Sequence, residues 1–323
     1  MTEIRGRFNY LAESVETSLL RNGKVLTRRD RDGSDAGTEG VEIEAFTMTI
    51  TDARQLCGDA SRTLKHNGFE LQVRAMPDLA RDFFDHRQVI EGYYPDCEQA
   101  VREATGTAHV YAFDHNIRSA TGKKAKRQIA GGQQVQGPAH LVHGDYTLVS
   151  APQRLCDLAR PATGNDTLKA VLGDGESLID PKVHDALVEA DGRYAIINVW
   201  RSIAEQPVAI DPLALCDAHT VAPQDLVVFE IHYADRVGEN YFAKHSDQHR
   251  WYTYPAMTQD EILLIKQWDS AGPLARSQGA ESDHADAQAP CTFSFHSAFE
   301  DKQAAEDAPA RWSIEVRCAV IYE

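Results

Sequence analysis

The six cysteines, Cys57, Cys97, Cys156, Cys216, Cys291 and Cys318, include no CxxC pair. Their scatter excludes a zinc ribbon and a dense secreted disulfide framework, and fits buried free thiols. Nowhere do eighteen apolar residues run together, so no membrane-spanning helix is expected. Positive charge is also scarce: 33 Lys and Arg face 49 Asp and Glu, a formal charge of −16. Such a surface repels phosphate backbones and anionic lipid, so neither nucleic acid nor a membrane is expected as partner. The opening residues, MTEIRGRFNYLAESVETSLL, have no basic stretch leading into an apolar run, and a soluble, cytoplasmic protein is expected. No glycine-rich phosphate loop follows a first strand, which leaves a dinucleotide-binding fold without support. No internal repeat is visible either.

What is present is a succession of short alternating or apolar segments separated by turns: VEIEAFTMTITDA, AHVYAFDHNIRSA, YAIINVWRSI, LVVFEIHYA, HRWYTYPA, CTFSFHSAF and RWSIEVRCAVIY. These read as strands. TRRDRDGSDAGTEG (27–40) reads as a charged linker in a peripheral hairpin. Between residues 52 and 105 the pattern turns helical, in TDARQLCGDASRTLKHNG and DCEQAVREATG, and these helices would buttress a sheet. TGKKAKRQIAGGQQVQG (121–137) reads as a mobile basic loop, and AGPLARSQGAESDHADAQAP (271–290) as an exposed one. The expectation is an α+β protein with a mainly β core, a sandwich or barrel of jelly-roll type with helical additions. It would form a single domain over 1–323, with N-terminal strands and supporting helices in 1–107 and the core and its site in 108–323.

The candidate chemistry starts in LVHGDYTLVS (141–150). On a strand, residues two apart share a face, so His143 and Asp145 can converge on one ion, with Gly144 leaving room. An imidazole and a carboxylate are two of the three ligands of a facial triad for non-haem Fe(II). Taken alone, the pair fits strand-end hydrogen bonding as well. Further along, His296 follows the alternating run 292–295, and Arg311-Trp312-Ser313 opens the last strand. There Arg311, Ser313, Glu315 and Arg317 share a face, and Arg311 with Ser313 can grip a distal carboxylate through a guanidinium fork and a hydroxyl. Either Arg311 or Arg317 can serve as that anchor, and both can equally pair with acids. His249 is the rival third ligand, or a core or substrate-contacting histidine beside Trp251 and Tyr252. Arg201 and Asn198, in NVWRSI, are candidates to reach a co-substrate, with an internal salt bridge as the other reading of Arg201.

HGDYT, NVWRSI, PVAIDPLALCDAHTV, HRWYTYPAMTQDEILLIKQWDS and HSAF…ARWSIEVR together resemble the AsaB/CmcJ-type hydroxylase/desaturase family of secondary metabolism, over roughly residues 60 to 322. The resemblance implies a double-stranded β-helix oxygenase using Fe(II), dioxygen and 2-oxoglutarate. It makes His143, Asp145 and His296 the iron ligands and turns Arg311 and Ser313 toward 2-oxoglutarate. The implied reaction oxidises a C–H bond of a small secondary metabolite or amino-acid derivative by hydroxylation, desaturation or ring closure, with succinate and carbon dioxide as co-products. Trp312 departs from the smaller polar residue expected at its position. The alternatives are a cupin-like binding protein without catalytic metal and a metal-dependent enzyme of non-redox chemistry; a homodimer stays open.

Overall fold

Three nearly continuous apolar runs build the centre of one sheet. Tyr194–Ser202, Glu261–Asp269 and Ser313–Ile321 are buried along almost their whole length, as strands are when both faces of their sheet are covered. This sheet is antiparallel, in the order Phe69–Val73, Glu261–Asp269, Tyr194–Ser202, Ser313–Ile321, His109–Arg118. The helix Tyr94–Thr105 packs on one face of it, burying Cys97, Ala100 and Val101. Gly106, at φ 74°, ends that helix in the left-handed conformation glycine adopts without a Cβ penalty.

The computed structural model describes residues 3–29, 35–58, 61–76, 82–163, 166–233, 236–301, 304–305 and 307–322. Among them a second sheet of eleven strands runs in the order Glu300–Asp301, Glu3–Leu11, Ile43–Asp52, Trp251–Thr253, Leu213–Cys216, His296–Ala298, His143–Gly144, Val237–Ala243, Leu226–His232, Leu26–Arg29, Asp35–Glu39. The protein is thus mostly β with few helices. Its strands are drawn from both sides of residue 107: Ile43–Asp52 pairs with Trp251–Thr253, and Phe69–Val73 with Glu261–Asp269.

Several expectations need correction. The N-terminal hairpin is not peripheral: Glu3–Leu11 pairs with Ile43–Asp52 over nine residues, and Phe8 and Tyr10 are fully buried. The Phe8 ring packs on Trp251 at 4.6 Å and on Phe299 at 5.6 Å. The middle of the charged linker, residues 30–34, lies outside the described residues. Among the described residues no long helix follows Asp52: Asp52 caps the 3-10 turn Ala53–Gln55, and Gly68, at φ 90°, leads directly into the strand Phe69–Val73.

Both long loops are tied down. In 121–137, Ser119 caps the short helix Ala120–Lys124, and the Arg127 guanidinium stacks 3.6 Å over Phe84. Trp312 accounts for its own bulk here, since a Cβ on Gly122 would come within 2.6 Å of its ring. In 271–290, Leu274 and Ala275 are buried. The buried Asp283 carboxylate accepts from the Leu274 and Thr292 amides and the Thr292 hydroxyl, at 3.2, 2.6 and 2.6 Å.

Candidate active site

His143 and His296 face each other as cross-strand partners in the larger sheet, with ring centroids 4.3 Å apart. Asp145, two residues beyond His143, joins them: one donor atom from each of the three side chains lies within 4.8 Å of the others. His143 Nδ1 donates to the Leu141 carbonyl at 2.7 Å. A carbonyl can only accept, so this bond fixes the tautomer and leaves the Nε2 lone pair free. That atom lies 3.7 Å from Asp145 Oδ1. Burial, and then the neighbouring His296, push the His143 pKa down to about 4. Burial lowers His296 as well. Both imidazoles are therefore neutral at neutral pH, the form that binds a metal.

Asp145 is held from the other side. Its Oδ2 accepts from Asn198 Nδ2 at 2.9 Å and Arg317 Nε at 3.3 Å, and its backbone N–H donates to Gln267 Oε1 at 3.0 Å. Burial alone would raise the carboxyl pKa, but Arg317, then His296 and His143, outweigh it and hold Asp145 ionised. Arg317 also donates to Asp114 Oδ2 at 2.9 Å, and Asp114 in turn accepts from Thr167 Oγ1 at 2.5 Å. Oδ2 is thus occupied by the protein while Oδ1 is turned toward His143. Register shifts in the smaller sheet help place these groups: one falls between Lys266 and Trp268, bulging Gln267, and another follows Arg317. Bulges re-aim side chains in this way beside functional sites.

A cavity opens beside the histidines, lined by Arg118, Trp200, Arg311 and Glu315 among others. Arg311 is 3% exposed. Its Nη1 donates to the Asp211 backbone carbonyl, and its Nε has no partner. The Asp211 carboxylate is engaged by His140 at 3.1 Å. Burial, only partly opposed by Asp211, lowers the Arg311 pKa to about 10. The Ser313 hydroxyl, two residues along the same face, is also buried without a partner. Arg118, the register partner of Ser313, donates to the Gly137 carbonyl at 3.0 Å. Buried groups left without partners cost stability; of the two, Arg311 lines the cavity and could meet an anionic ligand there.

The remaining candidates are placed elsewhere. Asn198 reaches the site through Asp145. Arg201 lies on the opposite face of its strand, donating to the Tyr93 hydroxyl at 2.9 Å and to the Arg74 and Gln259 carbonyls at 2.9 and 2.6 Å. Its ion-pair partner is Asp96, at 3.5 Å. His249 packs against Phe295, which points away from His296 on the strand, and bonds Tyr10 and Asp225 at 3.2 Å each. Trp251 is a core residue whose Nε1 donates to the Tyr10 hydroxyl at 2.9 Å. Tyr252 lies 5.7 Å from the Phe69 ring and under Arg62. The structure therefore brings none of Arg201, His249, Trp251 and Tyr252 to the cavity lining. Gly144 also makes room for a ring: a Cβ there would come within 3.0 Å of Phe293. Glu315 and Arg317 were visible from their shared face with Arg311. Gln267 and Asp114 gave no such signal.

The model of the oxidoreductase/YMDC permease-like domain family matches residues 8–173 and 174–321. The chain belongs to this family. No helix among its described residues is long and apolar enough to cross a membrane. An uncharacterized protein in the dcmA 3' region of Methylophilus leisingeri is 43% identical over 202 residues, covering 62% of this chain and 92% of the relative. The hydroxylase/desaturase efuI of Hormonema carpetanum is 26% identical over 98% of this chain and 94% of its own length. The alpha-ketoglutarate-dependent dioxygenase phiK of a fungal species is 27% identical over 90% of this chain and 92% of its own. These relatives bear out the resemblance to hydroxylase/desaturase enzymes. Among solved structures, the iron and alpha-ketoglutarate-dependent endoperoxidase NvfI is similar in fold, with a TM-score of 0.72 at 22% identity over 99% of this chain and 98% of that one.

Proposed function

We propose that this chain is a non-haem Fe(II)/2-oxoglutarate-dependent oxygenase of double-stranded β-helix architecture that oxidises a C–H bond of a small secondary metabolite. The observation that carries the reading is the joint presence of two unlike half-sites. One is a buried set of two neutral imidazoles and one ionised carboxylate. The other is a buried guanidinium lining the cavity beside it, with a buried hydroxyl two residues along the chain, both with unused hydrogen-bonding capacity. The first suits Fe(II) with positions left open for co-substrate and dioxygen. The second suits the distal carboxylate of a diacid.

In this reading His143, Asp145 and His296 hold the iron, Arg311 and Ser313 hold 2-oxoglutarate, and Asn198 and Arg317 keep Asp145 oriented through its second oxygen. When bound, iron and 2-oxoglutarate supply with dioxygen an oxidant for a C–H bond and leave succinate and carbon dioxide. The chain's own contribution is to fix donor geometry, keep both imidazoles unprotonated and screen the site from bulk water. Arg317 is committed to Asp145 and Asp114. That commitment favours Arg311 as the anchor. Protein loaded anaerobically with Fe(II) and then exposed to 2-oxoglutarate and air is expected to form succinate only when iron, co-substrate and oxygen are all present. Succinate formation independent of iron, or none at all with iron bound, would overturn the proposal.

A further inference from the structure

Asp211 stands in a backbone conformation that its place in the sequence makes costly. Its φ is 49°, in the left-handed region that residues with a Cβ seldom occupy. Pro212 follows, and a proline drives the residue before it toward extended conformations. Such a conformation persists only where the surroundings hold it. After Asp211 the chain is fixed in the larger sheet: the Pro212 carbonyl accepts from the Phe299 amide at 3.1 Å, and Leu213 pairs with Ala298. The Asp211 carboxylate accepts from His140 Nε2 at 3.1 Å. His140 is itself pinned, since its carbonyl accepts from the Asn9 amide at 3.3 Å and the Ala139 carbonyl accepts from the Ala298 amide at 2.7 Å.

The Asp211 carbonyl shows what the conformation accomplishes. It accepts from Arg311 Nη1, while Arg311 Nε is buried without a partner and the Trp200 ring lies 5.8 Å from the guanidinium carbon. Turning the Asp211 peptide would carry that acceptor away and release the guanidinium from its place. Ala139, next to His140, and Leu213, two residues beyond Asp211, line the same cavity as Arg311. A partly exposed pair such as His140 and Asp211 is ordinarily worth little to stability. Its effect here falls on geometry, because it fixes the direction of a peptide whose oxygen touches a buried arginine.

Building on the function proposed above, we infer that His140 and Asp211 are positioning residues for the 2-oxoglutarate anchor: their hydrogen bond holds the left-handed Asp211 peptide, whose carbonyl fixes the Arg311 guanidinium in the cavity wall. The test is anaerobic calorimetry of 2-oxoglutarate binding to the Fe(II)-loaded protein, with iron content and thermal unfolding measured beside it. Asp211→Ala removes the carboxylate and disfavours the left-handed backbone, and is expected to bind roughly tenfold more weakly with iron content unchanged. His140→Ala removes the donor from a partly exposed position and should weaken binding in the same direction; it tests the same contact if the first variant does not fold. Asp211→Asn keeps an acceptor and tolerates the left-handed region, and is expected to bind within about twofold of wild type. Because Asp211 acts through Arg311, Asp211→Ala added to Arg311→Leu should weaken binding no further. Wild-type affinity in both alanine variants overturns the inference, whether or not their unfolding temperature falls. So does an Asn variant as weak as the alanine one, or an undiminished effect of Asp211→Ala in the Arg311→Leu background. Absence of 2-oxoglutarate binding in the wild type would instead overturn the functional reading and this inference with it.

Discussion

His296→Ala is expected to abolish iron retention and, with it, succinate formation. Losing a residue that merely orients a metal ligand typically costs about 10–100-fold in metal affinity. Removing one of three donors should exceed that range, because the remaining imidazole and carboxylate are ordinary features of a strand end without it. The folded state should change less. His296 lies in a three-residue strand whose neighbours Phe295 and Ala298 supply much of the local apolar burial. Metal analysis after desalting, read beside the thermal unfolding profile, separates the two effects. A His296→Ala protein that folds and keeps its iron would remove the histidine from the site. His249→Ala makes the matched control: it should keep iron, since His249 is bound to Tyr10 and Asp225.

Arg311→Leu is expected to weaken 2-oxoglutarate binding by roughly 100-fold while leaving iron retention intact. A hydrogen bond to a charged group is worth up to about 3 kcal/mol, and each 1.4 kcal/mol is about tenfold in affinity. The same substitution should not destabilise the protein without its ligands. The Arg311 pKa is lowered by burial to about 10. A base whose charged form is disfavoured in the folded state costs stability at every pH below its folded pKa, and regains it only as pH climbs through that value. At neutral pH the cost is on the order of 3 kcal/mol. Leucine removes that charge and fills the space, so thermal unfolding of the apoprotein should stay level or shift upward. Calorimetry and thermal melts together check this. Unchanged affinity for 2-oxoglutarate would transfer the anchor to another residue, and Arg118 in the same cavity would be the first to examine.

Much of the candidate site could be read from local periodicity. His143 and Asp145 share a face because they are two apart, and Arg311, Ser313, Glu315 and Arg317 share another for the same reason. What could not be read was pairing between distant segments. That His296 lies directly across from His143 depends on register between strands more than 150 residues apart in the chain. Gln267 approaches Asp145 only because a bulge turns it there, which a strict two-residue period conceals. In the sequence, Arg201 sits beside Trp200 in an apolar strand run that leaves its partners open. Its direction is set by the helix Tyr94–Thr105 and the Tyr93 hydroxyl, which lie more than 90 residues earlier. In the fold, the smaller sheet was legible in its apolar runs, whereas Glu3–Leu11, with Glu3, Arg5 and Arg7 ahead of Phe8 and Tyr10, gained its burial from tertiary packing.

The central claim is that His143, Asp145 and His296 together bind iron. The most direct measurement is an anomalous difference map at the iron absorption edge from crystals grown anaerobically with Fe(II). The account predicts a peak bounded by His143 Nε2, Asp145 Oδ1 and the His296 imidazole, on the side of the cavity that holds Arg311. A peak at another imidazole–carboxylate pair, such as the buried His249 and Asp225, or the absence of any peak in fully loaded protein, would contradict it.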